Sequence, residues 1–225
     1  MRDLILLHGA LGASSEFNRL TPLLSSHFNV HTFDFSGHGK NNTDKAFSMD
    51  LFAQDLNNFI TTRKLDKPQV FGYSMGGYVA YKYAINSGDK LGDIMSLGTK
   101  LKWDPLTSKV ETAKLNPAKI EEKVPKFAAY LDSLHNNWRK NMEQTVLMMT
   151  DLGNGAALDI ENFAQIKNKC YIGLGDMDEM VTCAETQAVA QAIPNSEYYL
   201  LEKSRHPLVQ LDVHTLADKI IAHLK

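Results

Sequence analysis

An α/β fold, with one parallel sheet covered by helices on both faces, is predicted by three features of the sequence. Short apolar runs alternate with longer helical patterns along the chain. Several runs lack a polar alternation, as strands buried on both sides do. Their length and flanking glycines favour strands over short buried helices.

In order, the predicted strands are Asp3 to His8, Asn29 to Asp34, Gln69 to Tyr73, Asp93 to Leu97, Cys170 to Leu174 and Glu197 to Glu202. Ser48 to Thr62 reads as a helix, with Ser48 as N-cap and Phe52, Leu56, Phe59 and Ile60 on one face. Gly77 to Asn86 and Thr215 to Leu224 read the same way. Between Trp103 and Ile166 only helical signals occur. Asn116-Pro117 forms a cap and first-turn proline, followed by Phe127, Tyr130, Leu131 and Leu134, then by Trp138, Met142, Val146 and Met149 at helical spacing. The expectation is a single domain over residues 1–225, with a helical lid inserted at 103–166. The competing expectation is that this interval packs as an ordinary part of the core.

A chain of 225 residues, 44% hydrophobic and 22% charged, fills one core and is short for two. Its 24 basic and 26 acidic residues leave a net charge of -2 without long runs, so no footprint for nucleic acid or an anionic membrane is present. The expected partner is a small, uncharged or weakly polar molecule. Cys170 and Cys183 form no disulfide framework or metal knuckle, and no His or Cys pair has ligand spacing on one helix, so no metal is expected. The run Leu4 to Leu7 is too short for a signal-peptide core, and no stretch nears the ~18 apolar residues of a membrane helix. A reducing, cytoplasmic setting is expected.

The central motif is Gly72-Tyr73-Ser74-Met75-Gly76. Alone it is weak: at average usage, G-x-S-x-G arises by accident in roughly one chain of this length in fifteen. Its context strengthens it, because Val70-Phe71 leads in and the helical run Tyr78 to Ala84 leads out. A strand, sharp turn and helix put a serine hydroxyl in a strained, exposed position at the positive end of a helix. Ser74 is therefore the candidate nucleophile.

Two further motifs bring out a resemblance. His8-Gly9-Ala10-Leu11-Gly12 resembles the His-Gly oxyanion loop of the α/β-hydrolase family, and Asp34-Phe35-Ser36-Gly37-His38-Gly39 resembles its Asp-x-x-Gly-x-Gly turn. Three motifs in the right order are far more specific than one, and the likeness runs through nearly the whole chain. It implies a three-layer α/β-hydrolase fold with a mostly or wholly parallel sheet of about six strands. Two strands that open the family's sheet have no counterpart before residue 3, which would leave Asn29 to Asp34 at an edge open to pairing in a homodimer. The resemblance also implies an oxyanion hole formed by the main-chain N–H groups of Met75 and Ala10, with Leu11 as second choice.

A serine needs a base. Of eight histidines, His206 follows the last predicted strand at the carboxyl end of the sheet and fits the family order of Ser, acid, His. His8 and His38 lie in glycine turns and read as loop braces; His27, His31, His135, His214 and His223 carry no motif. In Gly175-Asp176-Met177-Asp178, the family spacing selects Asp178 as the acid; Asp176 is the runner-up, otherwise a turn residue. Gly173-x-Gly175 lacks the third glycine and the helix of a dinucleotide site. The implied activity is cofactor-free hydrolysis of a small carboxylic ester or thioester through an acyl-enzyme, with Leu11, Trp103, Trp138, Met142, Met148 and Met149 as candidate pocket residues. Carbon-carbon bond hydrolysis, and a small-ligand receptor using the hydrolase shell, stand as alternatives.

Overall fold

The computed structural model describes residues 1–225. Six strands, β1 (Arg2–Leu7), β2 (Phe28–Thr32), β3 (Gln69–Tyr73), β4 (Ile94–Leu97), β5 (Cys170–Gly175) and β6 (Ser196–Leu201), lie in the order β2-β1-β3-β4-β5-β6. Every neighbouring pair is parallel. The absence of a polar alternation now has its cause. In β1, Ile5 and Leu7 point into one apolar core and Leu4 and Leu6 into the other, all four fully buried. At roughly 1.5–3 kcal/mol per buried side chain, this strand is anchored from both faces. β2 is an edge strand, as the sequence suggests for this position.

Ten α-helices accompany the sheet: α1 (Thr21–Leu24), α2 (Met49–Arg63), α3 (Met75–Ser87), α4 (Pro105–Thr112), α5 (Pro117–Lys123), α6 (Pro125–Leu134), α7 (Trp138–Asp151), α8 (Ile160–Phe163), α9 (Cys183–Ala192) and α10 (Val213–Leu224). Residues from α2, α3 and α9 build the core on one face of the sheet, and residues from α1 and α10 build it on the other. The Ser48 side chain accepts the Leu51 N–H and starts α2, and Lys64 ends it in the left-handed region. No helix is long and apolar enough to cross a membrane.

Helices α4 to α8 fill the interval between β4 and β5. They divide into two parts. Ile120, Leu131, Trp138 and Met142 form a small core of their own, whereas Met148, Leu152, Phe163 and Ile166 join the main core. The insertion thus keeps a small cluster of its own between α5, α6 and the first half of α7, and shares the main core through the second half of α7 and α8.

Candidate active site

Strand β3 runs into Ser74, whose φ of 50° and ψ of −117° turn the chain directly into α3. The turn is held from outside. The Ser74 N–H donates to Leu97 O at 2.9 Å, and the Thr99 hydroxyl donates to Ser74 O at 3.0 Å. It also explains two glycines. A Cβ on Gly76 would lie 2.3 Å from Leu7 O, and one on Gly72 would lie 2.5 Å from the Gly77 backbone. Backbone cannot step aside as a side-chain tip can. Gly76→Ala is therefore expected to destabilise the fold by about 3 kcal/mol, the upper end for overpacking; a urea midpoint equal to wild type would contradict the close approach.

His206, in the loop after β6, points Nε2 at the Ser74 hydroxyl, 3.3 Å away. Its Nδ1 lies 2.8 Å from Asp178 Oδ2. A carboxylate only accepts, so the imidazole proton sits on Nδ1 and the Nε2 lone pair faces the serine. The other Asp178 oxygen accepts the Met180 and Val181 N–H groups at 2.8 and 2.9 Å. Burial alone would raise the Asp178 carboxyl, but the bond to His206 and the two amides outweigh it and hold the group below the ordinary carboxylate range. The Tyr73 hydroxyl donates to the His206 carbonyl and fixes the loop. Asp176 stands apart, accepting the Ser204 N–H from the loop after β6 at 3.0 Å.

The Ala10 and Met75 amides have no acceptor in the chain, and both residues line the same cavity as Ser74. Leu11 also lines it, with φ of 59°. This loop rests on a buried histidine cluster. His8 Nδ1–H donates to Gly9 O at 2.8 Å, and its Nε2 accepts the Phe35 N–H at 3.2 Å. His135, from the loop between α6 and α7, accepts the Gly39 N–H and donates to Leu11 O, both at 2.8 Å. The His38 ring lies between them, its centroid 5.1 Å from His8 and 5.9 Å from His135. His8 and His38 are the loop braces the glycine turns suggest. Nothing in the sequence marks His135, because its partners lie 96 and 124 residues away.

Burial pushes His8 down to about 4 and depresses His38 and His135 as well. In the unfolded chain these rings titrate near ~6.5. Below that value the unfolded state binds more protons than the folded one, so stability is complete above it and drains away as pH falls toward 4. His8 alone accounts for about 3 kcal/mol. The urea midpoint is expected to fall markedly between pH 7.5 and pH 5; an unchanged midpoint would contradict the neutral cluster.

The cavity over Ser74 has a volume of about 260 Å³ and 22 lining residues, 16 of them hydrophobic. Of the residues named from the sequence as pocket candidates, Leu11, Trp103, Met148 and Met149 line it. Trp138 and Met142 do not. They are 2% and 0% exposed, packed with Ile120 and Leu131 in the insertion's own small cluster. Helical spacing identifies the buried face of α7 but not which neighbour buries it. Tyr78, Glu16, Tyr130 and the Leu208-Val209 pair are lining residues that the sequence did not single out.

Residues 4–169 match the model of the alpha/beta hydrolase fold. Over 79 residues the chain is 35% identical to ethanol acetyltransferase 2 of Hanseniaspora uvarum, a match spanning 34% of this chain and only 23% of that protein. A Caulobacter segnis protein assigned as a carbamate hydrolase, RutD, is 23% identical over 100% of this chain and 92% of its own length. The crystal structure of the enol-lactonase from Burkholderia xenovorans LB400 superposes with a TM-score of 0.78 at 18% identity, covering 98% of this chain and 90% of that one. At such identity the likeness speaks for the fold. Together with the family match across most of the sequence and the parallel sheet, it places the chain in the alpha/beta hydrolase fold family.

Proposed function

We propose that this protein is a serine hydrolase that cleaves a small carboxylic ester or thioester through an acyl-enzyme on Ser74. The observation that carries this reading is the unbroken line from Ser74 Oγ to His206 Nε2 at 3.3 Å, and from His206 Nδ1 to Asp178 Oδ2 at 2.8 Å, beside two unpaired amides. Such bonds are often long in an empty site and tighten around substrate.

In the proposed cycle, Ser74 Oγ attacks the carbonyl carbon while His206 Nε2 takes its proton. The Ala10 and Met75 N–H groups hold the resulting oxyanion. His206 then returns the proton to the departing alkoxide or thiolate, which leaves as its alcohol or thiol. Water repeats the attack, and the acid is released. Asp178 keeps the imidazole in the tautomer that accepts from serine and stabilises the imidazolium. The chemistry needs no cofactor. A lactonase, a carbamate hydrolase and an acetyltransferase among its likenesses all name reactions at an acyl carbon, which supports the class without selecting the substrate. The free thiols Cys170 and Cys183 suit a reducing compartment such as the cytoplasm.

Two measurements test the reading. A p-nitrophenyl ester should give a burst of nitrophenol equal to the enzyme concentration when deacylation is slow, and a fluorophosphonate should label Ser74. A folded protein that binds ligands with a raised Tm, yet neither bursts nor labels, is a receptor and not a hydrolase.

A further inference from the structure

Apart from Trp103 and the tyrosines Tyr73, Tyr78 and Tyr130, whose polar atoms are all hydrogen-bonded within the protein, four lining residues of the cavity carry a polar or ionisable side chain: Ser74, His206, Glu16 and Lys100. Ser74 and His206 are engaged with each other. Lys100 is also spoken for. Its ammonium donates to Met180 O at 3.2 Å and to both oxygens of Glu185 at 3.3 and 3.2 Å, which uses all three of its protons. Glu16 is different. One oxygen accepts the Tyr130 hydroxyl at 2.8 Å and the other the Ala13 N–H at 3.2 Å. An ionised carboxylate offers about four acceptor sites, and no lysine, arginine or histidine lies within ion-pair distance of this one. Burial pushes its pKa up, although the bonds from Tyr130 and Ala13 oppose the shift.

We infer that Glu16, with Tyr130 beside it, forms a substrate-recognition subsite for a cationic or hydrogen-bond-donating group, so that the enzyme takes esters bearing such a group and rejects those bearing a carboxylate. The inference rests on the ester-hydrolase reading of Ser74. In a largely apolar cavity without a free cation, a substrate carboxylate placed beside Glu16 would be repelled and lose its water. A substrate ammonium would supply the missing countercharge. The remaining wall asks only for apolar bulk.

The test uses two sets of esters matched in length, one varied on the acyl chain and one on the alcohol, each ending in methyl, trimethylammonium or carboxylate. Rates are corrected for spontaneous hydrolysis and referred to the methyl ester of the same enzyme variant, so that a general loss of activity cancels. For unit charges a few ångströms apart at the effective dielectric of a protein site, the wild type should favour ammonium over carboxylate by roughly 100-fold in kcat/KM in at least one set. Glu16→Gln should reduce that ratio at least tenfold. Tyr130→Phe should keep the preference, since the charge remains. A wild-type ratio near one in both sets would overturn the subsite even if no variant folded. So would a Glu16→Gln ratio equal to wild type, or a Tyr130→Phe ratio that collapses while Glu16 is intact. Failure of wild type to hydrolyse every methyl ester or to label with fluorophosphonate would instead reject the hydrolase reading, before any ratio is taken.

Discussion

Ser74→Ala is expected to lower kcat toward a neutral ester by roughly 10⁴ to 10⁶ while leaving KM and Tm near their wild-type values. The size follows from the division of labour in such sites. With the proposed nucleophile gone, no acyl-enzyme could form, and only the proposed oxyanion donors and bound geometry would remain to help water, a residual worth about 10³ to 10⁴ over the uncatalysed reaction. The fold should survive because the serine hydroxyl bonds only to His206, whereas the turn is held by main-chain atoms of residue 74, which alanine retains. Alanine at φ of 50° carries the same backbone strain as serine. Steady-state kinetics beside a melting curve separate the cases: an alanine variant that folds and keeps ester turnover within tenfold of wild type ends the nucleophile assignment.

What the sequence reveals, and what it hides, divides along a physical line. Strands β1 and β3 are readable because a central parallel strand must be apolar on both faces, and Leu4 to Leu7 and Val70-Phe71 are. Ser74 is readable because its turn constrains nearby backbone and demands glycine at 72 and 76. These are local requirements, and local sequence records them. The insertion is legible only as helices. Asn116 accepts the Lys119 N–H as its N-cap role requires, yet Trp138 and Met142, apolar and correctly spaced, face Ile120 and Leu131 instead of the cavity. Burial is encoded by periodicity, but the identity of the burying partner is a tertiary fact. Glu16 and His135 are hidden for the same reason. Glu16 reads as an ordinary acid in the first turn after the Gly9 to Gly12 loop, and only the arrival of Tyr130 from 114 residues away makes it part of a cavity wall. His135 becomes a brace only where two distant loops offer it a donor and an acceptor.

Asp178→Asn is expected to cost roughly 10⁴ in kcat with substrate affinity nearly intact. The structure supplies the reason. Asp178 Oδ1 is held by two backbone N–H groups, from Met180 and Val181, so the single carbonyl oxygen of an asparagine would take that position. Its NH₂ would then face His206 Nδ1 where Oδ2 stood, 2.8 Å away. An amide NH₂ can only donate. Nδ1 would become the acceptor, the imidazole proton would move to Nε2, and the lone pair facing Ser74 would be lost. The base would be present in its place but in the wrong tautomer. Nitrogen chemical shifts of His206 should report that exchange, with the protonated nitrogen changing from Nδ1 to Nε2, and fluorophosphonate labelling of Ser74 should slow in parallel with kcat. Asp176→Asn provides the contrast, since Asp176 accepts the Ser204 N–H from the loop after β6 and an amide oxygen can do the same; its kcat should stay within a few-fold of wild type. Equal losses in the two variants, or an Asp178→Asn enzyme within tenfold of wild type, would remove Asp178 from the proposed chain of proton control.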